Sequence, residues 1–181
     1  KSPTAVGTHN DTIDMAYNDG VTTQSAFRDV EGTAVTAALL TLSDAPVYSY
    51  GTVVANTVND HIFQITNSGQ TDATAVTGSG LAAPFTFKGG TYPGTGGTCA
   101  GSIVAGTTCD IIVTYTPTAN GTKSDTIDIN YNNGTATTQL AQRNIQGVAA
   151  PAGVLSISNG ATYNFGTVAN TSVTEKTFTV T

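Results

Sequence analysis

The chain has no Trp, a single Met, two Cys and only six Lys and Arg among 181 residues. Each shortage excludes something. The cations Lys1, Arg28, Lys88, Lys123, Arg143 and Lys176 stand alone in a chain of net charge −6, so there is no basic run to hold nucleic acid or an anionic membrane surface. Charged residues make up 10% and Leu occurs six times, so the helix formers Lys, Arg, Glu and Leu are scarce. No apolar run approaches the roughly 20 residues a membrane-spanning helix needs. The expectation is a soluble segment, without a signal peptide, belonging to something longer. Two cysteines ten positions apart do not make a C-x-x-C redox or zinc pair.

What is abundant is Thr, 35 residues, together with 20 Gly. Thr is β-branched and suits a half-buried pleated surface, while Gly and Asn supply turns. The composition is therefore all-β. An apolar fraction of 39% is enough for a thin two-sheet core and argues against disorder.

The chain also repeats itself. Leu155-Ser156-Ile157-Ser158 falls on Leu40-Thr41-Leu42-Ser43 at an offset of 115 (155 − 40). In the same register Phe165-Gly166-Thr167-Val168 falls on Tyr50-Gly51-Thr52-Val53, and Phe178 to Thr181 on Phe63 to Thr66. At the other end Gly7 to Asp14 pairs with Gly121 to Asp128 at an offset of 114, and after one extra residue in the later copy Arg28 to Gly32 pairs with Arg143 to Gly147. A period near 115 is too long for a solenoid repeat but suits a small domain. One complete repeat, 36–149, is expected between the last strands of a preceding copy, 1–35, and the first strands of a following one, 150–181.

Within the complete repeat, strands are expected at 38–43, 47–50, 57–66, 71–78, 85–87, 109–115, 124–131 and 135–145. In the clearest of them Cys109, Ile111, Val113 and Tyr115 face one side at period 2. Asn132-Asn133-Gly134 reads as a type I′ hairpin turn, matched by Asn18-Asp19-Gly20 in the first copy. The Gly-rich stretch 89–97 reads as a long flexible loop. Short strands with a turn every 8–14 residues give an immunoglobulin-like β-sandwich, with a closed barrel as the alternative. A disulfide between Cys99 and Cys109 is the natural reading and places the chain in an oxidising, extracellular compartment; two buried thiols are the alternative.

The string Tyr50-Gly51-Thr52-Val53, then Phe63 to Gly69, then Cys99, then Cys109 through Val113 and Tyr115-Thr116-Pro117 to Gly121, resembles the bacterial choice-of-anchor D repeats. Those are relatives of the immunoglobulin-like ASH domains. Tyr50 stands where their pattern has Phe, and Phe165 keeps it in the next copy. The resemblance implies a scaffold or spacer in a large bacterial surface or secreted protein, and no activity of the fold itself.

Chemistry-bearing residues are sparse. His9 and His61 lie in different copies, aligned with Lys123 and Lys176, so no catalytic triad can be assembled; no enzyme and no cofactor is expected. Asp11 and Asp14, three apart on a strand, point to opposite faces and cannot share one calcium ion, and no calcium loop occurs, so no metal site is assigned. Tyr92, in the Gly-rich loop, is the candidate contact for a ligand such as a glycan. The partial copies would bare Ile13, Met15 and Tyr17 at one end and Phe165, Phe178 and Val180 at the other. These are the candidate inter-subunit strands, paired either within a longer chain or between molecules. The function this points to is a structural repeat of an extracellular fibre, filament or adhesin stalk on the cell surface. The competing readings are a carbohydrate-binding module and an accessory domain of a secreted enzyme.

Overall fold

Alternation of β-branched and polar residues runs through most of the chain, and β-branched residues lose least where a pleated surface is half buried. The computed structural model describes residues 3–181; Lys1, one of the six cations, lies outside them. Eleven strands and no helix occur among the described residues. They are β1 (Gly7–Asn18), β2 (Thr23–Ala34), β3 (Leu40–Leu42), β4 (Val47–Val54), β5 (Asn59–Asn67) and β6 (Ala73–Ser79). Then follow β7 (Phe85–Phe87), β8 (Ser102–Ile103), β9 (Thr108–Tyr115), β10 (Gly121–Asn132) and β11 (Gln139–Ala150).

Strands β3 to β11 form an immunoglobulin-like β-sandwich. One sheet has the order β4-β11-β10-β6-β8 and the other β3-β5-β9-β7. All neighbours are antiparallel except β4, which runs parallel to β11. Inward residues of both sheets meet in one core: Phe63, Ile65, Ile111, Val113 and Tyr115 from one, Val76, Ile127, Ile129 and Ile145 from the other. The period-2 reading of β9 is met, with Ile111, Val113 and Tyr115 buried and Cys109 half-buried. Cys99 and Cys109 are joined by a disulfide.

Three sequence expectations need correcting. The Gly-rich stretch is not an open loop. It lies along β9 beyond β7, with Lys88 N–H donating to Ile112 O (2.9 Å), Ile112 N–H to Pro93 O (2.9 Å) and Thr98 N–H to Asp110 O (2.9 Å). Glycines allow that backbone-to-backbone approach: a Cβ on Gly94 would sit 2.3 Å from Ile112 O. The hairpin turn is not type I′ either, because only Gly134 has positive φ (90°). Asn133 Oδ1 accepts the N–H groups of Thr135 (2.9 Å) and Ala136 (2.8 Å), a side-chain-stabilised turn in which positive φ falls on Gly134 alone. Finally, the edge strand expected at 47–50 runs on to Val54, past Gly51, whose φ of 71° coincides with a register shift against β11.

The chain divides into two compact units, Lys1–Ala150 and Pro151–Thr181. In the first, β1 and β2 form a two-stranded sheet of their own, without ladder pairing to the sandwich. In the second, the regular pairing is one antiparallel bridge, Ile157 with Val180, flanked by Ser156 N–H to Thr181 O (2.8 Å) and Ser158 N–H to Thr179 O (2.9 Å).

Candidate functional site

Residues directly opposite in an antiparallel pair share a face, so the register of β1 and β2 sorts their side chains. Asp11 with Val30, Ile13 with Arg28, Met15 with Ala26 and Tyr17 with Gln24 lie on one face. Asn10 with Glu31, Thr12 with Asp29 and Asp14 with Phe27 lie on the other, so Asp11 and Asp14 do point apart. The first face carries Ile13, Met15, Tyr17 and Val30, all exposed.

The same hairpin occurs inside the sandwich as β10–β11. There Asp125 opposes Ile145, Ile127 opposes Arg143, Ile129 opposes Ala141 and Tyr131 opposes Gln139. The side-chain bonds recur as well. Thr12 Oγ1 donates to Asp29 Oδ1 at 2.7 Å, and Thr126 Oγ1 to Asn144 Oδ1 at 2.9 Å. Asp19 Oδ1 accepts from the N–H groups of Val21 and Thr22 just as Asn133 does from its own turn. Those bonds, Thr22 first, hold the Asp19 carboxyl below its usual pKa. The change of offset from 114 to 115 has a physical seat: six residues separate Tyr17 from its partner Gln24, seven separate Tyr131 from Gln139.

What differs is cover. Ile127 and Ile129 are 0% exposed and Tyr131 4%, whereas Ile13, Met15 and Tyr17 are 53%, 66% and 54% exposed. Val30, Phe165, Phe178 and Val180 are likewise exposed although Ile145, Phe63 and Ile65 at the corresponding positions are buried and Tyr50 is half-buried. Phe27, 76% exposed on the outer face, stands where the sandwich has Gln142, and nothing in the structure explains the exchange.

In the unit 151–181 the turns and aromatic contacts of β3 to β5 recur. Gly166 has the φ of Gly51 (71°), and Thr171 (67°) that of Asn56 (66°). Ser172 N–H reaches Ala169 O at 3.1 Å as Thr57 N–H reaches Val54 O at 3.2 Å. Tyr163 stands edge-on to Phe165 at 5.0 Å and to Phe178 at 5.6 Å, as Tyr48 does to Tyr50 at 5.0 Å and to Phe63 at 5.2 Å. Lys176 Nζ lies 5.2 Å from the Tyr163 ring centroid, and its counterpart His61 is stacked on Tyr48 at 3.6 Å. A residue that can carry positive charge over an aromatic face is thus retained through the His-to-Lys exchange.

The two histidines are engaged separately. His9 Nε2 lies 2.8 Å from Ala5 O, and His61 Nε2 lies 3.2 Å from Asp44 Oδ2. His61 is also packed against Tyr48. A hydrogen bond from Ser43, and then the His61 contact, keep the Asp44 carboxyl below its usual pKa. Tyr92 is half-buried against the core, edge-on to Phe87 at 5.8 Å, with its hydroxyl 3.4 Å from Ala100 O. Burial pushes its phenol up to about 12. No group of three His, Cys, Asp or Glu side chains that could hold a metal ion occurs among the described residues.

Sequence reading did not single out Arg28. Its counterpart Arg143 donates through Nη1 to Pro46 O at 3.0 Å and through Nη2 to Leu42 O, tying β11 to the β3–β4 connection. The signal was the alignment of the two arginines at one repeat position.

No family model matches the chain, and no curated protein matches it in sequence. Among solved structures it is similar to the ASH/PapD-like domain 7 of human CEP192, with 16% identity and TM-score 0.47 over 66% of this chain and 89% of that one. It is similar to a Porphyromonas gingivalis W83 protein of unknown function, with 13% identity and TM-score 0.48 over 82% of this chain and 68% of the other. A third likeness is to the Vibrio cholerae VesB protease, with 14% identity and TM-score 0.46 over 62% of this chain and 32% of the protease. Each is a likeness of fold at low identity.

Proposed function

We propose that this chain is a structural segment of an extracellular repeat protein of the choice-of-anchor D kind, a fibre, filament or stalk in which immunoglobulin-like sandwiches follow one another every 115 residues or so. One observation carries the reading. The β1–β2 hairpin reproduces β10–β11 in register, turn bonds and side-chain pattern, yet bares the face that β10–β11 buries. A face built for a core belongs to a unit whose other strands are supplied elsewhere. The disulfide is compatible with an oxidising, extracellular setting.

The role is mechanical, not catalytic. The last strand of the complete unit, β11, lies between β10 and β4, and load along the chain would shear both ladders at once. The Gly-rich segment is clamped to β9 by hydrogen bonds, and the Cys99–Cys109 bridge pins the chain just beyond it. Electron microscopy of the native assembly tests this. Fibres beaded at the length of one sandwich, roughly 40 Å for a twelve-residue strand, are the expected result. Isolated globular particles in native material would overturn it.

A further inference from the structure

We propose that the bare face of β1–β2 is covered by residues 151–181 of a second copy of this chain, with β2 pairing in parallel with residues 162–169 in the register β11 uses with β4. The inference rests on the repeat reading above and adds to it the partner and the alignment.

The complete unit supplies the template. β11 pairs with β4 through Asn144–Val47, Ile145–Tyr48, Gln146–Ser49, Val148–Thr52 and Ala149–Val53. Subtracting 115 on the first strand and adding 115 on the second gives Asp29–Thr162, Val30–Tyr163, Glu31–Asn164, Thr33–Thr167 and Ala34–Val168. Among the described residues both edges are open to these bonds: β2 has β1 as its ladder partner and no second strand, and residues 162–169 carry no ladder pairing.

Three further features fit the same alignment. Residues 151–181 already hold the turns and the aromatic cluster of β3 to β5, so docking requires little reordering. Arg28 opposes Ile13 as Arg143 opposes Ile127, and the carbonyls of Ile157 and Ala161 stand where Arg143 finds those of Leu42 and Pro46. Ile13, Met15 and Val30 would close over Phe165, Phe178 and Val180, the exposed counterparts of residues that meet in the core. The two surfaces differ, so the contact is heterologous, and repeated head to tail it extends into a filament. The composite has counterparts of β3, β4, β5, β10 and β11 and none of β6 to β9, so association is weak and concentration-dependent.

Cross-linking between full-length chains is the test. Thr33→Cys and Thr167→Cys chains, both altered at exposed positions, are mixed under mild oxidation. Paired strands bring the two Cα atoms within the roughly 4.4–6.8 Å a disulfide spans. Covalent dimer is expected at least about tenfold above a control pairing Thr33→Cys with Thr174→Cys, and adding Val30→Asp, which sets a charge against Tyr163, should abolish the excess. Equal yields in both pairings would overturn the register. A chain carrying both cysteines that closes on itself as a covalent monomer, with no dimer in the mixture, would overturn the second copy as partner. Monomers without cross-link at high concentration would remove pairing between copies altogether. Beaded fibres in the native material would still support the repeat reading in that case, with units completed within a longer chain.

Discussion

Replacing Asn67 by Asp is expected to unfold much of the sandwich's stability at neutral pH although the two side chains have the same shape. Asn67 is fully buried at the end of β5 and uses all of its bonding capacity. Nδ2 donates to Thr71 O (2.9 Å) and Ile103 O (3.1 Å), and Oδ1 accepts from Leu39 N–H (3.2 Å) and Gly69 N–H (3.1 Å). One side chain thereby joins the approach to β3, the turn after β5 and β8. Asp would point a carboxylate oxygen at two carbonyls in a buried site, which raises its folded pKa well above the roughly 3.9 of an unfolded Asp. The sign follows from linkage. A raised folded pKa makes the variant most stable below the unfolded pKa, where protonated Asp can still donate one bond. Stability is then lost as pH rises toward the folded pKa. Asn67→Ala should cost about 3–5 kcal/mol at any pH, since four backbone groups lose their partner. Thermal melts of both variants between pH 3 and 8 check this. A flat Asp profile would contradict it.

The second large effect is a contrast between copies. Ile129→Ala should cost about 3–4 kcal/mol, the usual range for a fully buried Ile, whereas Met15→Ala, at the same place in the first hairpin, should cost less than about 0.5 kcal/mol in the isolated chain. The side chains, an Ile and a Met of similar size, occupy one repeat position and differ chiefly in cover, 0% against 66% exposed. Denaturant titration of the two variants reads the difference directly. A Met15→Ala penalty as large as that of Ile129→Ala would mean the first hairpin is packed in solution.

Much of this was legible from residue order. The repeat offsets single out Ile13, Met15, Tyr17, Phe165, Phe178 and Val180, all of them exposed, because aligned positions carry aligned side-chain directions. Alternation along β9 found its core face, and cysteine spacing suggested the bridge. Illegible features share a cause: they depend on partners distant in sequence. The parallel seating of β4 on β11 joins residues 97 positions apart (144 − 47), and no local pattern announces it. β8 is two residues long and exists because β6 lends it an edge. Asn67 stood out only within the stretch Phe63 to Gly69 that carries the family resemblance; its four bonds, and the 2.2 Å at which a Cβ on Gly69 would meet Ala37 O, depend on partners that stretch does not contain. Arg28 shows no role in the sequence because its counterpart acts on carbonyls 97 and 101 residues away.

Backbone hydrogen exchange, read by mass spectrometry on the isolated chain and on assembled material, tests the central claim most directly. In the isolated chain β10 and β11 should exchange only through global opening, while the core-face stretch of β1 and β2 exchanges through local fraying. On assembly β1–β2 should acquire protection comparable to β10–β11. Protection of β1–β2 that is unchanged by assembly would contradict the claim that this hairpin is the uncovered half of a core.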